Sequence, residues 1–188
     1  RIYVGFVGDG TSGIYIWGAQ LEAGSFPTSY IPTSGSTVTR AADIASITGT
    51  NFSGFYNQSE GAVFADAKTA SASANGIASF NDGTNNEAIN LYRTATDAVF
   101  QVRDNNVTQA FRSGAAADSL KLSCGISTNN FTAFANQTSF GVDSSGTPPV
   151  VDRLNIGFLI TANQCNGTIK RLSYWNDRLS NDYLTKLT

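Results

Sequence analysis

The chain has no histidine, no methionine, only two cysteines and unusually few charges. Without histidine there is no Ser-His-Asp or Cys-His catalysis and no His-based zinc site. Glutamate is almost as scarce: only Glu22, Glu60 and Glu87 occur, and no spaced carboxylate pair falls on one strand face to support glycoside hydrolysis. There is no Gly-rich loop followed by Lys-Ser/Thr and no strand–Gly-x-Gly-x-x-Gly–helix unit. These absences describe a protein that is not an enzyme. Charged residues make up 14%, with a net charge of −2 and a pI near 4.9, so no basic track follows a phosphate backbone and nucleic acid is not an expected partner. No apolar run approaches the roughly 20 residues that span a bilayer, so no membrane insertion is expected. No signal peptide opens the chain. An opening Arg1 in a sequence without methionine reads as part of a longer polypeptide. Cys124 and Cys165 do not make a disulfide framework, and both are expected to be reduced.

Glycine, serine, threonine and asparagine are abundant instead, a mix that suits short strands joined by polar turns. From Ala41 onward strand patterns recur about every ten residues: 44–48, 61–68, 76–81, 88–93, 98–103, 107–112, 120–127, 131–136, 139–142, 154–158 and 168–175. Turn signals such as Asn81-Asp82-Gly83, Asp104-Asn105-Asn106 and Ser144-Ser145-Gly146 separate most of them. Leu120, Leu122, Cys124 and Ile126 alternate with polar residues, as do Leu154, Ile156 and Phe158, which assigns each set to an inner face. Ile169, Leu172 and Tyr174 cannot share one face, so a bulge is expected there. Ser180 is placed to cap one short C-terminal helix, with Asp182 in its first turn. The fold class is therefore all-β, an antiparallel β-sandwich or jelly roll over residues 42–188.

Residues 1–33 read as a β-hairpin over 2–17 followed by an exit segment of a preceding β-domain. Residues 34–41 read as a linker. A hairpin alone is marginal in water and needs further strands to pair with.

Two stretches carry a family resemblance. Residues 14–33 (Ile-Tyr-Ile-Trp-Gly-Ala-Gln-Leu-Glu-Ala-Gly-Ser-Phe-Pro-Thr-Ser-Tyr-Ile-Pro-Thr), continuing through Thr39-Arg40-Ala41-Ala42-Asp43, resemble a segment of bacteriophage structural proteins. There it closes a carbohydrate-binding-module-like jelly roll and leads into the next domain. Lys121-Leu122-Ser123, Phe131 to Asn136, Leu154-Asn155-Ile156-Gly157, Asn166 to Leu172 and Tyr174 to Ser180 are similar to the laminin-G/concanavalin-like (LamG) fold, with Gln137 where a glycine is usual and Tyr183 in place of a common acidic residue. The resemblance implies a tail fibre, tailspike or head appendage on the virion surface, assembled in the host cytoplasm. It also implies a homotrimer of its own chain beside other virion proteins, with host envelope polysaccharide as the ligand. A purely structural trimerising or capsid-decorating module without ligand is the alternative.

The candidate ligand residues follow from loop chemistry. Turns before and after the pair 88–93 and 98–103 should return to one rim, bringing together Asn81, Asp82, Asn86, Asp104, Asn105 and Asn106. Such a set suits a sugar or a Ca2+ ion, calcium being the one candidate cofactor. The same residues also form turns through Asx bonds and need no ligand for that. Tyr56, Tyr92, Phe134 and Trp175 are the candidate aromatic platforms for a sugar ring, against the ordinary role of aromatics as core. Six Asn-x-Ser/Thr sequons, at Asn51, Asn57, Asn106, Asn130, Asn136 and Asn166, are read as incidental to a protein made in bacteria.

Overall fold

The computed structural model describes residues 10–11, 13, 18–22, 29–39, 44–69, 74–160 and 163–188. The chain divides into two compact units, Arg1–Ala42 and Asp43–Thr188. The hairpin expected over 2–17 lies almost wholly outside the described residues. In the first unit the described stretches have no regular secondary structure, and Gln20 Oε1 accepts the N–H of Ile31 at 2.9 Å. No helix among the described residues is long and apolar enough to cross a membrane.

The second unit consists of strands β1 (Ala45–Thr48), β2 (Glu60–Thr69), β3 (Asn75–Asn81), β4 (Ala88–Arg93), β5 (Asp97–Asp104), β6 (Val107–Ala115), β7 (Ser119–Ser127), β8 (Phe131–Ala135), β9 (Thr138–Asp143), β10 (Arg153–Ile156) and β11 (Gly167–Trp175). Two helices accompany them, α1 (Thr50–Ser53) and α2 (Asn181–Leu187). A six-stranded sheet runs β1-β10-β3-β4-β5-β6 and a five-stranded sheet runs β11-β2-β7-β8-β9. Every strand pair is antiparallel. The expected sandwich is therefore present, and each expected strand is found with its bounds moved by a residue or a few.

Alternation explains the core. Val63, Ala65 and Ala67 of β2 and Leu120, Leu122, Cys124 and Ile126 of β7 face Phe80, Ile89, Leu91, Phe100 and Val102 of the opposite sheet, all buried. The bulge expected in β11 falls between Ile169 and Arg171. One detail differs: β10 stops at Ile156 because Gly157, at φ 80°, turns the chain, so Phe158 is buried from a loop rather than from the strand. Cys124 and Cys165 are unbonded, the first in the core and the second half-buried in the loop before β11.

Helix α2 is capped as its sequence suggests, Ser180 Oγ accepting the Tyr183 N–H at 3.3 Å. It lays Leu184 on the outer face of the five-stranded sheet, against Ala62 and Phe134, with Trp175, Leu179 and Leu187 packed around them. Ser123 Oγ donates to Leu184 O at 2.8 Å.

The β8–β9 turn holds Asn136 at φ 47° and Gln137 at φ 67°. Both central residues are left-handed, as a two-residue hairpin turn of this kind demands. Asn tolerates that region, but Gln pays for its Cβ there. Gln137→Gly keeps the backbone donation from Gln137 N to Thr188 Oγ1 (2.8 Å) and removes the clash. Its unfolding free energy should rise by about 0.5–1 kcal/mol, the net of about 1–2 kcal/mol of relieved strain and a smaller entropic cost. A higher denaturant midpoint at unchanged slope is the expected reading.

Candidate functional site

The expected rim exists. Asn106 N donates to Asn86 O at 3.1 Å, Arg103 Nε donates to Asn85 O at 2.7 Å, and Asn105 N donates to Glu87 Oε1 at 2.7 Å, so the 82–87 and 104–106 turns lie side by side. Their polar side chains are largely committed to the turns themselves. Asn81 is buried, and its Oδ1 accepts the Gly83 N–H at 2.8 Å. Asp82 Oδ1 accepts from the N–H and hydroxyl of Thr84 (2.8 and 2.7 Å). Asp104 takes the Asn105 amide on one oxygen and the Thr147 hydroxyl on the other (3.0 and 2.6 Å). Asn105 and Asn106 have φ of 51° and 62°, the geometry of a tight hairpin turn. Among the described residues no three Asp, Glu, His or Cys side chains gather as a metal would require. The rim residues fix the loops and hold Arg103, whose Nη2 also donates to Asn106 Oδ1 at 2.6 Å.

Two of the four aromatic candidates are corrected by packing. Tyr56 sits in a cluster with Phe52 (4.6 Å between centroids), Tyr174 (5.2 Å) and Phe80 (5.4 Å), and Phe134 is buried under α2. Neither can act as an exposed platform. Burial, with Tyr174 nearby as a smaller cause, pushes the Tyr56 phenol far above its ordinary value. Trp175 packs partly beneath α2. Tyr92 is half-buried on the outer face of the six-stranded sheet, and burial raises its phenol as well.

That outer face carries a feature absent from the sequence reading. Register aligns Ser46, Asn155, Ser79, Asn90, Gln101 and Phe111 in one row across all six strands. Asn155, Ser79 and Asn90 are buried, Gln101 is half-buried, and Phe111 at the end is 46% exposed. Asn81 Nδ2 donates to Ser79 Oγ (3.0 Å), and Ser79 Oγ donates to Asn90 Oδ1 (2.7 Å), which locks the middle of the row. The Asn90 Nδ2 group and the side-chain amides of Asn155 and Gln101 have no protein hydrogen-bond partner among the described residues, yet none is sealed from solvent. Buried amides are ordinarily paired, so a row of open ones is costly unless water or a ligand completes it. Arg153 and Arg103 stand in the neighbouring outward row, each on its own side of Asn81 and Ala88. At the other end, the loop after β10 closes over Gly76, where an added Cβ would lie 2.7 Å from the Phe158 carbonyl carbon. A polar floor with an exposed ring at one edge and Arg103 alongside can hold a hydroxyl-rich ligand with some negative charge.

No family model matches the chain, and no curated protein matches it. Solved structures do. A sialidase carbohydrate-binding module (CBM40) from Ruminococcus gnavus, bound to α2,3-sialyllactose, has a TM-score of 0.61 at 19% identity, over 70% of this chain and 83% of that one. The NanB sialidase of Streptococcus pneumoniae gives 0.61 at 13% identity, over 76% of this chain and 26% of that one. Mouse laminin α1 domains LG4–5 give 0.56 at 12% identity, over 71% and 38%. At such identities these likenesses show a shared jelly-roll fold of the carbohydrate-binding-module and LamG type.

Proposed function

We propose that the unit Asp43–Thr188 is a non-catalytic glycan-binding module that uses the outer face of its six-stranded sheet. The observation that carries this is the row of open amides at Asn155, Asn90 and Gln101 leading to the exposed ring of Phe111. A pyranose stacks its apolar face on the ring while its hydroxyls complete the amides. Arg103, whose hydrogen bonds go to neutral amide oxygens, favours a carboxylated sugar, and the fold shared with a module bound to sialyllactose supports the same ligand class.

Phe111→Ala is the sharpest test, read on an array of sialylated and neutral oligosaccharides. Affinity should fall at least about tenfold, the size of a central aromatic contact. Because the ring is half-exposed on an edge strand, stability should change by no more than about 0.5 kcal/mol. Equal affinity in the variant would remove this face from the reading.

The resemblance of residues 14–33 to phage structural proteins supports a location on a virion surface, as a homotrimer presenting this face to host envelope polysaccharide. Exposed Val107 on β6 and Val142 on β9, both on edge strands, favour the other reading, a trimerising module without ligand. A trimer in light scattering together with no glycan bound on the array would select it.

A further inference from the structure

The arginines of the second unit are nearly all used by the fold. Arg93 pairs with Asp118, Arg112 with Asp143 and Arg153 with Asp152. Arg103 holds the rim, and Arg178 donates to Leu179 O and to Asn130 and Asn181 side chains. The lysines behave otherwise. The chain has four, Lys68, Lys121, Lys170 and Lys186, and all four lie on the five-stranded sheet or on α2 above it. All four are exposed, as is Arg171, and none of the five forms an ion pair among the described residues.

Register brings these cations together. Arg171, Asp66 and Lys121 are cross-strand neighbours on the outer face, with Lys68 two residues along β2 from Asp66. Neighbouring side chains in such a row stand about 5 Å apart. Lys170 occupies the β11 bulge beside Arg171. Lys186 joins from the last turn of α2, whose end is tied to the β8–β9 turn by the Gln137–Thr188 bond; Asn136 of that turn accepts the Lys121 N–H at 3.0 Å. Asp66 is the one carboxylate in the row, and one of its oxygens is buried without a partner. Arg171 is steadied over the Phe64 ring, 5.4 Å from its centroid, and by donation to Ser173 Oγ at 2.9 Å. The six-stranded sheet has no lysine.

We propose that the half of the five-stranded sheet's outer face not covered by α2 is a second binding surface, for a polysaccharide bearing sulfate or carboxylate on successive sugars. Flexible ammonium groups spaced along a flat sheet face match repeated anions without demanding one geometry. The surface suits neither single-stranded nucleic acid nor a bilayer: its aromatic ring, Phe64, is buried and offers no stacking platform, and no large apolar side chain stands exposed in the row. This site is separate from the row ending at Phe111 and does not depend on it.

The test uses the whole 188-residue chain and a heparin oligosaccharide at low salt, with binding followed as salt is raised. Binding should weaken with salt, and Lys68→Ala/Lys121→Ala should lower affinity about tenfold with melting temperature unchanged. Asp66→Asn, which removes the opposing charge within the row, should tighten it severalfold, a gain that no loss of folding can mimic. Phe111→Ala should leave heparin binding untouched, and the lysine pair should leave sialyllactose binding untouched, so the two sites fail independently. No heparin binding by the parent, equal binding by the lysine variant, or duplex DNA bound as tightly as heparin would each overturn the proposal.

Discussion

Phe80→Ala should lower the unfolding free energy by about 3–5 kcal/mol, the range for truncating a fully buried aromatic. Phe80 comes from β3 in the six-stranded sheet, and its ring meets Tyr174 of β11, in the other sheet, at 5.7 Å between centroids. Tyr56 lies at 5.4 Å and Phe52, brought in by α1, at 6.4 Å. Removing the ring leaves β11, α1 and the loop at Tyr56 without their common contact at one end of the sandwich. In a unit of this size the loss corresponds to a melting temperature lower by roughly 6–20 °C. Phe55→Ala is the internal control. Phe55 is more than a third exposed and touches the cluster only edge-on, so its removal should cost much less. Equal losses in the two variants would mean that the cluster does not join the sheets.

Alkali should unfold this protein early. Burial raises the Cys124 thiol well above its ordinary 9.0, and it raises the Tyr56 phenol above 10.0. Both groups are acids that the fold keeps neutral. Below the unfolded values the stability they contribute is fully present. As pH rises past 9.0 and then 10.0 the unfolded chain ionises, the folded chain does not, and that stability is lost. Each group then contributes a fall of up to about 1.4 kcal/mol per pH unit while the folded chain keeps it neutral, so stability declines steadily above pH 9. Denaturant midpoints measured between pH 8 and pH 11 should trace the fall. Tyr56→Phe should remove the part that begins at pH 10, because the phenol makes no hydrogen bond among the described residues. A flat profile to pH 11 in the parent would contradict the burial of both groups.

The strands were legible because a sheet with one inward face writes a period of two into its sequence, as at Leu120–Ile126. The cap at Ser180 and the slip near Ile169 were legible for similarly local reasons. Helix α1 was not: it is four residues long, starts at Gly49 without a side-chain cap, and owes its existence to Phe52 reaching the core. The candidate site was legible only at its rim, where turn chemistry marks Asn81, Asp82 and Asp104 to Asn106. The Asn155–Phe111 row depends on register, and register depends on bulges at Gly76/Ala78 and Val102/Arg103 that no local pattern announces. One signal was available. Asparagine is a poor strand former, yet Asn75, Asn81, Asn90 and Asn155 all occupy strands of the six-stranded sheet, where packing alone would favour β-branched residues.

The place of β10 governs how the chain can assemble. It lies between β1 and β3, so neither is paired on that side until residues 153–156 arrive, and Arg153 pairs with Asn81, seventy-two positions earlier. Closing so long a loop precedes any reward from the contact, which puts folding among the slower β-topologies, in milliseconds to seconds. During synthesis at about 5–20 residues per second, the β3 edge waits roughly 4–14 s for its partner. Through that interval Ile77, Ala78 and Phe80 are carried on an open strand edge, and the nascent protein is at its most prone to pair with the wrong neighbour.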